Sequence, residues 1–152
     1  MIAAETGHLE LAYDYLAEAA LMDIDDLEHN TRDGLHMAAL AGSWIALVAG
    51  LAGMRDRDGT LSFAPRLPGE LTRLAFTVSH RGRRLSVEVT QHATAYRLAD
   101  GEPLHVIHDG EAASVRAGNP LVRPTRKASP AGPSGPPAQP LGREPRRRRA
   151  AQ

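Results

Sequence analysis

The chain has 152 residues, no cysteine, and a formal net charge of zero built from 18 basic and 18 acidic residues. That length allows one ordinary domain, and the lack of cysteine excludes disulfides and thiolate metal sites. The charge is unevenly spread: residues 1–118 carry 17 acidic against 10 basic residues, and residues 119–152 carry 8 basic against one acidic, Glu144.

Met1 to His8 shows no basic stretch ahead of an apolar core, so no secretory signal is read and a cytoplasmic location is expected. A first helix is predicted from about His8 to Met22. Leu9, Ala12, Tyr13, Leu16, Ala19 and Ala20 share one face at a 3.6-residue period, while Glu10, Asp14 and Glu18 form a solvated stripe on another. Asp23 to His29 is an acidic connection to a second helix that starts near Gly34. Gly34 to Met54 holds no Asp, Glu, Lys or Arg in 21 residues. A helix apolar all round is either a membrane span or buried in a large protein. Half of the residues from Met37 to Met54 are alanine or glycine, and burial is the reading adopted. The two helices form an α-hairpin with more apolar area than it can hide alone.

Arg55-Asp56-Arg57-Asp58-Gly59 is a polar, turn-forming run. Leu74, Phe76 and Val78 then alternate with polar or small neighbours, as do Leu85, Val87 and Val89, with His80-Arg81-Gly82-Arg83 as the turn of a hairpin. Tyr96 and Leu98 begin another strand. Asp100-Gly101 and Asp109-Gly110 read as two further hairpin turns, leading into Leu104–Ile107 and Ala112–Arg116. Phe63, Phe76 and Tyr96 are the aromatic core candidates. From Asn119 onward lie eight of the 11 prolines and no aromatic residue, a composition that predicts disorder.

Three motifs occur in order: Asn30-Thr31-Arg32-Asp33-Gly34-Leu35-His36, Ala41-Gly42-Ser43-Trp44, and Gly59-Thr60-Leu61-Ser62-Phe63-Ala64-Pro65-Arg66-Leu67-Pro68. Together they resemble the end of the catalytic region in glycoside hydrolase family 65, the family of maltose, trehalose, kojibiose and nigerose phosphorylases and some related hydrolases. The resemblance runs from about residue 1 to about 122. It implies an α+β fold: the last α-hairpin of an (α/α)6 barrel over residues 1–55, a small antiparallel β-sandwich over 56–118, and a disordered Pro/Arg-rich tail over 119–152.

The resemblance further implies inverting phosphorolysis of an α-linked disaccharide, with inorganic phosphate as co-substrate and no other cofactor. The family's general acid lies upstream of the matched helices, so the chain alone is predicted to be inactive, with no catalytic residue of its own. Its partners would be the disaccharide, phosphate and the remainder of the barrel. The alternative is a non-catalytic β-sandwich module that docks on a separate catalytic chain. Which disaccharide is used, and whether phosphate or water accepts the glucosyl group, stays open.

His36 is the candidate phosphate-binding residue. It follows Gly34 in the first turn of the second helix, where free N–H groups and the helix dipole favour an anion, and the resemblance places the family's phosphate-contacting histidine there. Read from the residues alone, it is better explained as a helix-start histidine bonded to a carbonyl and packed against the β domain; the resemblance is what favours the phosphate role. Asp33 is expected to be an N-cap, with Arg32 beside it. Trp44 is expected in the core, and Gly42 and Ser43 are read as packing residues. No metal is expected: His8, His29, His80, His92, His105 and His108 lack ligand spacing, and on a strand His105 and His108 would face opposite sides. The Arg146–Arg149 run could bind nucleic acid or a membrane surface by charge, but without aromatic residues for stacking it reads as a solvated tail.

Overall fold

The structure is a computed structural model describing residues 1–27, 29–127, 138–139 and 142–146. A short helix α1 (Ile2–Glu5) leads into α2 (Leu9–Leu21). A 3-10 turn at Thr31–Asp33 precedes α3 (Met37–Ile45), which runs on as a π-helical stretch, Ala46–Leu51. The second helix thus starts three residues later than the sequence suggests, because Gly34 takes φ +121°, a backbone region that side chains avoid.

The helix ends at Gly53. Its φ of +62° is left-handed, and a Cβ built there would sit 2.5 Å from the carbonyl oxygen of Ala64. Glycine here both reverses the chain and lets the backbone at Ala64 approach. Arg55 closes the same corner. Its Nη1 donates to the carbonyls of Ala49 and Met54 at 2.6 and 2.7 Å, and its Nη2 pairs with Glu5 of α1.

Among the described residues eight strands follow: β1 (Arg55–Arg57), β2 (Thr60–Phe63), β3 (Arg73–His80), β4 (Arg83–Thr90), β5 (Ala93–Leu98), β6 (Leu104–His108), β7 (Glu111–Val115) and β8 (Leu121–Pro124). They form two four-stranded sheets, ordered β1-β2-β6-β7 and β3-β4-β5-β8. Three hairpins use the same two-residue turn with both φ positive, at Asp58-Gly59, Arg81-Gly82 and Asp109-Gly110. That geometry matches the strand twist. The expected polar turn at residues 55–59 is therefore itself half strand.

Two expectations about the sheets need correction. Asp100-Gly101 does not turn a hairpin: β5 and β6 lie in different sheets, and only Gly101 of the pair has positive φ. The segment is instead the crossover between sheets, and it delivers β6 parallel to β2, with Leu61 opposite Val106. The sandwich is accordingly antiparallel except at that pair. The tail, expected to start at Asn119, begins later, because Leu121–Pro124 is a strand whose Val122 and Leu121 pair with Ala95 and Tyr96. Pro124 fits because it ends an edge strand, where no ladder donor is required. Gln139 and residues 142–146 also lie within the described structure, so the expectation of disorder throughout 119–152 is not met; the remainder of that segment lies outside the described residues.

One apolar cluster joins the helices to the sandwich. Phe63 and Tyr96 pack with tilted rings at 5.1 Å between centroids, in one cluster with Leu85, Val87, Val89, Val106 and Val115, and Leu9, Leu16, Val48, Leu51 and Ala52 come from the helical layer. Phe76 is buried too. Burial along the second helix changes sharply. Its end is covered, but Leu35, Met37, Leu40, Trp44 and Ile45 are exposed, between 44% and 71%. The core position expected for Trp44 is thus not found: it is half exposed, and its ring makes a T-shaped contact with Phe76 at 6.2 Å between centroids. No helix among the described residues is long and apolar enough to cross a membrane.

Candidate functional site

His36 occupies the N-cap of α3, and its position is set by Asp23, just beyond the end of α2. One carboxylate oxygen of Asp23 accepts the backbone N–H of His36 at 2.9 Å, and the other lies 2.5 Å from the ring Nδ1. A carboxylate only accepts, so Nδ1 carries the proton toward it. The His36 hydrogen bonds hold the Asp23 carboxyl below its ordinary range. Asp33, expected to cap the helix, is largely exposed and makes no capping bond; it lies 3.9 Å from the guanidinium of Arg32, which is also exposed. Asp23, 13 residues away, instead fixes the N-cap residue His36 itself, a separation no local pattern reveals.

The loop between the helices is fastened in the same way. Asp26, itself at φ +45°, accepts both the backbone N–H of Thr31 at 3.1 Å and its hydroxyl at 2.8 Å. Those bonds lower its carboxyl as well. Asp23 and Asp26 therefore both hold the loop bearing Asn30 to His36. In the sequence these acids read only as an acidic connection between the helices.

With Nδ1 committed, Nε2 is the remaining polar atom of the half-exposed His36 ring. The first N–H groups of α3, on Met37 and Ala38, have no helical acceptor by construction, and no side chain caps them. An anion placed there would meet free N–H donors, the positive end of the helix dipole and, when the ring is doubly protonated, a charged imidazole neutralised by Asp23.

The other candidates stand elsewhere. Ser43 donates back to the carbonyl of Ala39 at 2.8 Å, a local helix bond. A Cβ on Gly42 would meet nothing within 4 Å, so no close helix packing uses that glycine here. His108 is buried inside the sandwich, where Tyr96 donates its hydroxyl to Nδ1 at 2.7 Å and Nε2 donates to the carbonyl of Pro124 at 3.0 Å. Burial pushes the Tyr96 phenol far above its ordinary value, so it stays a donor. His105 is exposed on the opposite face of β6. His80 bonds the carbonyl of Gly59 at 3.0 Å. Among the described residues no group of three His, Cys, Asp or Glu side chains stands close enough to hold a metal.

Residues 1–45 match the family model of the glycosyl hydrolase family 65 central catalytic domain, and residues 54–115 match that of the family's C-terminal domain. An uncharacterized glycosyl hydrolase of Mycobacterium leprae is 48% identical over 151 residues, which is 98% of this chain and 19% of the relative. The trehalose phosphorylase of Thermoanaerobacter brockii is 40% identical over 108 residues, 71% of this chain and 14% of the relative. The maltose phosphorylase of Bacillus subtilis is 40% identical over 106 residues, 70% and 14% respectively. The chain thus spans less than a fifth of the curated relatives it matches. A solved structure described as a candidate kojibiose phosphorylase from the human microbiome shares the fold, with a TM-score of 0.75 over 81% of this chain and 17% of that one, at 22% identity.

Proposed function

The chain belongs to glycosyl hydrolase family 65, and from that premise we propose that it is the C-terminal part of an enzyme that splits an α-linked disaccharide by inverting phosphorolysis. In this reading α2 and α3 complete a helical barrel supplied by the rest of the enzyme, and the start of α3 forms one wall of a phosphate pocket. The general acid would come from the preceding part of the enzyme. Phosphate, already nucleophilic at neutral pH, would attack the anomeric carbon opposite the departing sugar.

The observation that carries the proposal is the pairing of His36 with Asp23 at an otherwise uncapped helix N-terminus. A helix start held open in this way suits an oxyanion better than a neutral sugar hydroxyl. The exposed apolar face from Leu35 to Ile45 supports the second half of the reading. That much contiguous apolar surface calls for a cover, and the chain's relatives are about five times its length. The test is an enzyme completed with the preceding region, assayed for sugar 1-phosphate formation with phosphate and the disaccharide varied separately. Release of free sugar independent of phosphate would show the hydrolytic branch of the family instead.

A further inference from the structure

The last described residues of the chain are seated on α2, more than 120 residues away in sequence. The Tyr15 hydroxyl lies 2.8 Å from Oε1 of Gln139 and 2.9 Å from the carbonyl of Arg143, and its one proton can serve either. The backbone N–H of Arg146 donates to a Glu18 carboxylate oxygen at 2.8 Å, and its guanidinium donates to the carbonyl of Leu27 at 3.0 Å. Between these contacts Pro145 is fully buried.

Tyr15 and Glu18 are one turn apart on the same side of α2, so a single short segment reaches both. The charges are also complementary. Asp14, Glu18 and Asp25 line the small groove that receives Arg146, and the guanidinium sits past the C-terminal end of α2, where the helix dipole favours a cation. The acidic stripe that reads as solvated in the sequence is thus partly occupied by the basic end of the same chain.

What this segment grips matters for the site. Leu27, Asp23 and Asp26 belong to the one loop that follows α2, and Asp23 orients His36. β8 ends in sheet β3-β4-β5-β8 at Pro124, and the described residues 139, 143 and 146 of the same chain bond to Tyr15, Glu18 and Leu27. The matches to the mycobacterial relatives cover 98% and 99% of the chain, whereas those to the trehalose and maltose phosphorylases cover 70% to 80%.

We propose that residues 138–139 and 142–146 are an intramolecular clasp that holds α2 and the Asp23–Leu27 loop in register, with Arg146 as the positioning residue for Asp23 and so for His36. The clasp rests on contacts within this chain and stands whether or not His36 binds phosphate.

The test is hydrogen exchange on the full chain carrying Arg146→Gln or Arg146→Lys, with the amides of β3 and β4 as an internal check on folding. Gln retains the backbone bond to Glu18 but loses the cation, while Lys keeps a cation that can reach Leu27. Amides of the loop and of His36 should exchange roughly tenfold faster in Arg146→Gln. Lys should restore most of that protection, and molar salt should reduce it in the unmodified chain. Loop exchange unchanged by Arg146→Gln, or a lysine variant no better protected than the glutamine one, would overturn the clasp.

Discussion

Nδ1 of His36 and Oδ1 of Asp23 lie 2.5 Å apart, while the second oxygen of the same carboxylate holds the His36 backbone N–H. One side chain from the end of α2 therefore fixes both the start of α3 and the orientation of the imidazole on it. This couples helix packing to the candidate anion site, and it has a pH signature.

The Asp23 carboxyl is held below its usual value, first by the side-chain bond to His36. A group with a lowered folded-state pKa stabilises the fold above its unfolded value, near pH 4, and loses that contribution as pH falls through the folded value. Asp26, bonded by Thr31, and Glu88, bonded by Arg73 and Arg97, behave in the same sense. The contribution of these three carboxylates should be constant at neutral pH and decline below about pH 4. Asp23→Asn should lower the neutral-pH melting temperature and shallow the acid decline, read by circular dichroism melts across pH. An acid limb as steep as the unmodified chain's would contradict the pairing.

Tyr96→Phe should destabilise the sandwich. It removes the donor to His108 inside the core and leaves a buried ring nitrogen unpaired, at a cost of about 1–3 kcal/mol. The midpoint of urea unfolding should fall with little change in its slope. A neutral substitution would mean that water takes the place of the phenol.

Two glycines should respond in opposite directions. Gly53→Ala places a methyl against the Ala64 carbonyl at a left-handed φ and should cost more than about 1 kcal/mol. Gly42→Ala, mid-helix with open space around it, should stabilise this chain by up to about 1 kcal/mol. Thermal melts of the two variants side by side decide this.

How far these features could be read in the residues depends on distance along the chain. The Arg81-Gly82 and Asp109-Gly110 hairpins were readable because their turn chemistry is local. Asp100-Gly101 carries the same signature but opens a crossover, and only the pairing of β6 with β2 shows that. Strand β8 is not legible because its Arg123 and Pro124 resemble the Pro/Arg-rich sequence that follows. His36 becomes a candidate in the sequence only through the family resemblance, since its place after Gly34 suits a plain helix-start histidine as well. Asp23 does not become one, since its role exists only once α2 and α3 lie side by side.

The exposed face of α3 predicts self-association. Leu35, Met37, Leu40, Trp44 and Ile45 should drive oligomers in sedimentation, and Leu40→Lys with Ile45→Glu should shift the chain toward monomer. Trp44 emission should move to shorter wavelength when the preceding barrel region is added. An unmodified chain that sediments as a monomer at high concentration would count against a missing cover.

The central claim is tested most directly by His36→Ala in the completed enzyme, with Michaelis constants measured for phosphate and for the disaccharide. Losing a hydrogen bond to a charged group costs about 1.5–3 kcal/mol, so the phosphate constant should rise roughly ten- to a hundredfold while the disaccharide constant changes little. A folded variant with both constants in their original ratio would make His36 a helix-capping residue alone and remove this chain from the phosphate site.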